Sequence, residues 1–205
     1  MDLIAAKRGP RREPRPRKQK FFDRHDEVIR AAARVFAEKG FRLATLGDVA
    51  DALDITRAAL YYYANSKDDL AALCSDKAAE QFNDAVESAR RHQTGREQIV
   101  AFFRRYAEII CDDFGRFFVR LNIQELAEPA QVRTRVGQRE LHEAVQSMIA
   151  AGIADGTLHD ADRKDISRIL FGAFNGIVRW YRPGSRAPSQ IADDFLAIFL
   201  RGLTA

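Results

Sequence analysis

The chain is poor in cysteine: its 205 residues hold two, Cys74 and Cys111, far apart and in no metal-binding or redox spacing. A disulfide framework and a thiolate metal site are therefore excluded, and both are read as reduced thiols. No apolar run approaches the ~20 residues that a membrane span needs. A secretory leader places charge before its apolar stretch, whereas here the apolar residues 3–6 precede a basic run. The expectation is a cytoplasmic protein without membrane contact. No segment alternates with period two for long enough to build a sheet, and there are no internal repeats. The four histidines, His25, His92, His142 and His159, show no ligand-like pairing. Neither a glycine-rich phosphate loop nor a nucleophile motif occurs. No catalytic residue, metal ligand or cofactor is assigned, and the chain is read as a non-enzyme.

Charge is present, but unevenly. The net charge is +4, while residues 1–20 alone carry eight Lys/Arg against two Asp/Glu, a net of +6, so the remainder sums to −2. Residues 21–70 hold seven Lys/Arg and nine Asp/Glu. Overall basicity is a property of the arm and says nothing about the folded part. Pro10, Pro14 and Pro16 fall within the same arm. Proline and like charge oppose a helix, so residues 1–20 are expected to be a disordered basic arm.

From residue 23 the pattern becomes helical. Val28, Ile29, Ala32, Val35 and Phe36 recur at helical spacing over 23–39, acidic residues stand in the first turn, Lys39 in the last, and Gly40 is a natural terminator. Thr45 caps a second, short segment with Asp48 three residues on, close to a capping box. Leu46, Val49, Ala50 and Leu53 form its apolar stripe. Thr56 caps a third segment over 57–63 that buries Leu60. Two helices under ten residues joined by a short turn form a helix-turn-helix, and neither is stable without packing on the first helix. Phe36, Leu46, Val49 and Leu60 are the contacts expected to supply that packing. Further helices are predicted near 67–92, 95–112, 115–126, 129–154, 163–181 and 188–203, punctuated by Gly95, Gly115, Gly152, Gly156 and Pro183-Gly184.

These residues carry a resemblance. Ile29-x-x-Ala32-x-x-x-Phe36-x-x-x-Gly40-Phe41, Thr45-Leu46-x-x-Val49-Ala50, Ile55-Thr56-x-x-x-Leu60-Tyr61-Tyr62-Tyr63 and Asn65-Ser66-Lys67-x-x-Leu70 resemble the DNA-binding domain of the TetR/AcrR family of bacterial regulators. Two positions depart from the family pattern. Ala64 stands where a phenylalanine is usual, and Ala58 where glycine is frequent. The resemblance implies an all-α protein: a three-helix helix-turn-helix domain over 21–66 and a helical ligand-binding and dimerisation domain over 67–205. It implies a homodimer on a palindromic double-stranded DNA operator, released by a small effector.

A recognition helix puts its first residues against base edges and phosphates. Thr56 and Arg57 lie at that end, with Arg57 suited to a guanine edge or a phosphate. Ala58 and Ala59 permit close approach. Tyr61 and Tyr62 can donate to phosphates, as can Thr45 through its hydroxyl and N–H and Lys67 through its ammonium. Of the three consecutive tyrosines, Tyr63 is expected to face inward and Tyr62 outward. The basic arm either tracks the DNA backbone or an adjacent minor groove, or serves only as a solvating tail. An architectural DNA binder without an effector is the competing reading, and repressor and activator stay undivided.

Aromatic density is high in the body. Phe102, Phe103, Tyr106, Ile110, Phe117, Phe118, Leu121, Asn122, Phe171, Phe174 and Asn175 are candidate pocket residues, although aromatic stripes at helical spacing are more often core. The resemblance places the dimer interface on the last two helices. There Ile169, Gly172, Ala173, Gly176, Ile191, Phe195, Ile198 and Phe199 are the candidates, the two glycines allowing close helix approach. The run from Trp180 to Gly184 is similar to the subset of the family that regulates fatty-acid and steroid breakdown. That similarity implies a small hydrophobic or acyl-CoA effector.

Overall fold

The computed structural model describes residues 17–202. Helix α1 (Arg17–Lys39) starts six residues earlier than its pattern suggested. Residues 17–20 of the expected arm are therefore helical. Arginine, lysine and glutamine are strong helix formers, and no proline follows Pro16 until Pro129. The rest of the arm, 1–16, lies outside the described residues. Helix α2 (Leu46–Ala52) and helix α3 (Arg57–Leu60) complete the head. Phe36, Leu46, Val49 and Leu60 are all buried, as their spacing predicted. Ala64 is buried as well, so the small residue at this position sits in packed surroundings.

The body consists of α4 (Lys67–Ala89), α5 (Gly95–Cys111), α6 (Asp113–Arg120), a 3-10 turn (Ile123–Glu125), α7 (Glu128–Ala154), α8 (Arg163–Asn175), α9 (Ile177–Trp180) and α10 (Pro188–Arg201). The described residues contain no strand. Two predicted helices are divided. The 115–126 segment ends at Arg120 and resumes as the 3-10 turn, capped by the Asn122 side chain on the Gln124 N–H. The 163–181 segment breaks at Gly176, where α8 closes and α9 opens.

Helix α5 is the axis of the body and packs against α4, α6, α7, α8, α9 and α10. A helix with so many neighbours must be apolar on nearly all sides. Ile99, Phe102, Phe103, Tyr106, Ile109 and Ile110 answer that need, all buried. Its N-terminus meets α7 without side chains between them: a Cβ on Gly95 would stand 2.0 Å from the Gly152 nitrogen. The Asp155 carboxylate then accepts the Gly95 N–H at 2.8 Å.

Head and body share one continuous core. Helix α1 lies against α4 and α6, with the Phe36 and Phe117 rings 5.6 Å apart. At the rim of this contact Arg30 donates to both Asp112 oxygens, at 2.8 and 3.0 Å, and lies over the Phe114 ring. Arg34 reaches Asp113 at 3.3 Å. The head is thus fastened to the body along α6.

Candidate DNA-binding face and effector body

The N-terminus of α2 is a closed network. Thr45 accepts the Asp48 N–H at 3.1 Å through its hydroxyl, and its own N–H and hydroxyl donate to Asp48 Oδ2 at 2.8 and 2.9 Å. Lys39 Nζ donates to the other Asp48 oxygen at 2.6 Å. The Lys39 ammonium and the Thr45 donors push the Asp48 carboxyl down to about 2. Thr45 was expected to offer its hydroxyl and N–H to a phosphate. Here both are engaged by Asp48, and the N–H groups of Leu46 and Gly47 stand beside them at the same helix end.

Helix α3 is shorter than predicted and ends at Leu60. Tyr61–Tyr63 continue as a tight turn in which the Tyr62 N–H bonds to Ala59 O and the Tyr63 N–H to Leu60 O, at 3.3 and 2.9 Å. Thr56 caps the helix by accepting the Ala59 N–H at 3.1 Å. Thr56, Arg57 and Ala58 are exposed, and Ala59 is half-buried. Tyr62 is 84% exposed and Tyr61 46%, while Tyr63 is half-buried, which matches the expected order of the three rings. Arg57 Nη2 lies 3.4 Å from the Tyr61 hydroxyl, so the guanidinium and phenol share one surface. The result is a convex, solvent-facing ridge with one cation, two phenols and small residues at its tip.

Lys67 was expected to contact the DNA backbone; here its ammonium is turned onto the protein. An ammonium has three donors. Lys67 directs them to the carbonyls of Phe41, Ala44 and Arg42 at 2.8, 3.1 and 3.4 Å. It also stacks over the Phe41 ring at 4.5 Å. Here it braces the α1–α2 turn. Pattern reasoning passed over Arg42 and Leu43, which sit on this turn beside Thr45. Both are exposed, Leu43 at 75%. Their place directly before the α2 cap is the signal that could have marked them.

In the body, most of the predicted pocket residues are packing. Phe102, Phe103, Tyr106, Ile110, Phe117, Phe171 and Phe174 are buried. Phe103 and Phe174 have ring centres 4.7 Å apart, and Phe102 and Phe103 5.0 Å. These rings pack against one another in the core. Tyr106 is wholly buried, its ionisation is pushed up by that burial, and its hydroxyl donates to Asn175 Oδ1 at 2.6 Å.

The spaces that do exist lie around this cluster. A cavity of about 120 Å³ between α4, α6 and α7 is lined by Asp76, Phe82, Phe118, Arg133, Thr134 and Leu141, among others. A wide concavity of about 730 Å³ is lined by Val119, Arg120, Gly172, Asn175, Gly176, Val178 and Arg179. A third, of about 230 Å³, has Phe117 and Leu121 in its wall with Phe36. So Phe118 and Asn175 reach sizeable spaces, Phe117 and Leu121 reach the head–body seam, and Asn122 is a half-buried cap residue.

The outer face of α8 and α10 is apolar and open. Ile169 is 59% exposed and Ile198 53%, and Trp180 at the end of the short α9 is 51% exposed. Ile169, Ala173, Phe195, Ile198 and Phe199 line a groove of about 230 Å³ there. A Cβ on Gly172 would meet nothing within 4 Å. One expected member fails: Ile191 is 1% exposed and points into the core, because α10 turns that side toward α5.

A short capped two-helix unit, an exposed polar ridge and a larger helical body define a helix-turn-helix DNA-binding regulator. Residues 28–74 match the family described as bacterial regulatory proteins, tetR family. Residues 92–203 match the one described as Tetracyclin repressor-like, C-terminal domain. The chain belongs to the TetR family of transcription regulators. It is 27% identical over 194 residues to the HTH-type transcriptional repressor KstR2 of Mycolicibacterium smegmatis, covering 88% of this chain and 91% of that one. It is 28% identical over 190 residues to KstR2 of Rhodococcus jostii, covering 89% and 92%. Among solved structures, PfmR from Thermus thermophilus, a TetR family regulator, superposes with TM-score 0.79 at 25% identity, over 88% of this chain and 100% of that one. The ketosteroid regulator KstR2 of Mycobacterium tuberculosis gives 0.80 at 24%, over 89% and 95%. AibR, solved with isovaleryl coenzyme A and operator DNA, gives 0.75 at 17%, over 85% and 97%.

Proposed function

We propose that this protein is a homodimeric repressor of a palindromic operator, released by a small hydrophobic effector of the acyl-CoA class. The observation that carries the reading is the linkage between an exposed recognition ridge, Thr56, Arg57, Ala58, Tyr61 and Tyr62, and a body clasped to the same head through Arg30, Arg34, Asp112 and Asp113. A recognition helix reads bases only when its partner copy stands one operator repeat away. A body that shifts α6 or α4 tilts the head and spoils that spacing. Effector affinity and operator affinity are then coupled reciprocally.

The effector class is supported by three features. The relatives include KstR2 repressors, one of them named a ketosteroid regulator, and the AibR fold was captured with an acyl-CoA. The concavity that holds Asn175 also carries Arg120 and Arg179. Arginine pairs with phosphate through two parallel hydrogen bonds, and coenzyme A brings several phosphates. The neighbouring apolar walls suit an acyl or ring system. No helix among the described residues is long and apolar enough to cross a membrane.

The test is selection of bound fragments from the native genome, followed by footprinting. A protected palindrome with two half-sites about one helical turn apart is expected. Thermal melting with a panel of short-, long- and steroid-derived acyl-CoAs should find one that raises the melting temperature and releases the fragment. A uniform, sequence-independent footprint would favour an architectural binder instead.

A further inference from the structure

We propose that Lys67 and Glu125 are positioning residues for operator binding, which hold the 41–44 turn from two separate elements of the body. The inference rests on the DNA-binding reading above and adds how the body sets the DNA-facing edge of the head.

The turn joins α1 to α2 and runs directly into the Thr45 cap. Four residues outside regular structure leave backbone groups that need partners. Ala44 N–H finds Gly40 O at 3.1 Å within the turn. Four more groups are met from outside. Lys67, the first residue of α4, takes the carbonyls of Phe41, Arg42 and Ala44. Glu125, in the 3-10 turn between α6 and α7, accepts the Arg42 N–H at 3.1 Å through Oε2. The peptides on either side of Arg42 are thus gripped with opposite polarity, a cation on the oxygens and a carboxylate on the hydrogen. Charge-assisted hydrogen bonds are shorter and stronger than neutral ones. A shift of either grip moves the turn, and with it the start of α2 that supports α3.

The Lys67 grip belongs to a helix that bounds one cavity, and the Glu125 grip to the turn between the two other helices that bound it. Phe82 on α4, Phe118 on α6 and Thr134 and Leu141 on α7 all line the 120 Å³ cavity. A molecule wedged there would change the distance between α4, which roots Lys67, and the α6–α7 junction, which roots Glu125. The turn is where that change reaches the DNA face.

The sign of the effect separates positioning from plain electrostatics. Glu125 is negative and close to the DNA side, so simple charge removal should tighten binding to a polyanion. Loss of the grip should weaken it. On a selected operator fragment, Glu125→Ala is expected to bind about tenfold more weakly, while Glu125→Gln, which keeps an acceptor oxygen, stays within about twofold of wild type. Glu125→Lys runs the same test with charge reversed and is also expected to weaken binding. For Lys67→Met, affinity should fall about tenfold with the slope of log K against log salt unchanged, since no phosphate contact is lost. Equal or tighter binding by Glu125→Ala or Glu125→Lys overturns the proposal. So does a slope reduced by about 0.9 in Lys67→Met, the signature of one phosphate contact. A wild-type chain that binds no selected fragment defeats the operator reading itself, which the fragment selection would show before any variant is made.

Discussion

Arg57 opens α3 at the tip of the exposed ridge, and among the described residues a long 3.4 Å contact to the Tyr61 hydroxyl is what holds its guanidinium. A side chain so lightly tied is available to DNA. Arg57→Ala should weaken operator binding by about 1–3 kcal/mol per half-site and erase preference at one base position, as measured by binding to a mutated operator series. A loss equal for every sequence would assign Arg57 to phosphate instead. Asp48 works by a different route, as the hinge of the cap. Its carboxyl is held at about 2, against an ordinary 3.8, first by the Lys39 hydrogen bond and then by those of Thr45. A lowered folded-state value adds stability above the ordinary value, and that stability fades as pH falls through the folded one. Asp48→Asn should therefore melt a few degrees below wild type at neutral pH, the gap closing between pH 3.8 and about 2. A gap that persists at pH 2 would mean the amide disturbs packing rather than charge. The capping box was readable in sequence because both partners lie within one turn. Lys67 was not, because its carbonyl partners stand 23 to 26 residues away and spacing carries no trace of them.

At the scale of elements, helices were located well and their ends less so. Apolar periodicity reports which face is buried, and it runs on through a break that keeps the face in phase. The 163–181 pattern shows no proline, yet the helix stops at Gly176, where a Cβ would lie 3.1 Å from Ala173 O. The aromatic cluster was legible as apolar helix faces but not as pocket or core, because composition cannot distinguish rings that line a space from rings that fill it. The same close packing makes the α5–α7 crossing a sensitive point. Gly95→Ala would bring its methyl within 2.0 Å of the Gly152 nitrogen and 2.5 Å of Met148 O, both backbone atoms that cannot swing aside. A loss of about 2–3 kcal/mol is expected, roughly 5–10 °C in melting temperature. Gly137, mid-way along α7, meets nothing within 4 Å. Gly137→Ala should instead raise the melting temperature by about 2–4 °C, through better helix propensity alone. Equal responses of the two glycines would show that α5 and α7 tolerate separation.

For the whole molecule, the open apolar face of α8 and α10 is the feature that a single copy leaves unexplained. Isolated exposed apolar residues are ordinary, but a contiguous groove with Ile169 and Ile198 on its lips marks an interaction site. A second copy suits it, because a palindromic operator demands two heads and a two-fold axis makes one face meet itself. The open space over Gly172 would let the paired helices approach closely. Ile198→Glu places a charge in the middle of that contact. It should convert the protein to a monomer in sedimentation equilibrium, leave its helical content and single-copy fold intact, and reduce operator affinity to the level of nonspecific binding. Ile191→Glu is the control that makes the experiment decisive. Ile191 faces inward on the same helix, so its charge would be buried without a partner and should unfold the chain rather than split a dimer. If both variants unfold, the α10 surface belongs to the monomer core. If Ile198→Glu stays dimeric, the two copies meet elsewhere and the spacing of the two recognition ridges has to be derived from another face.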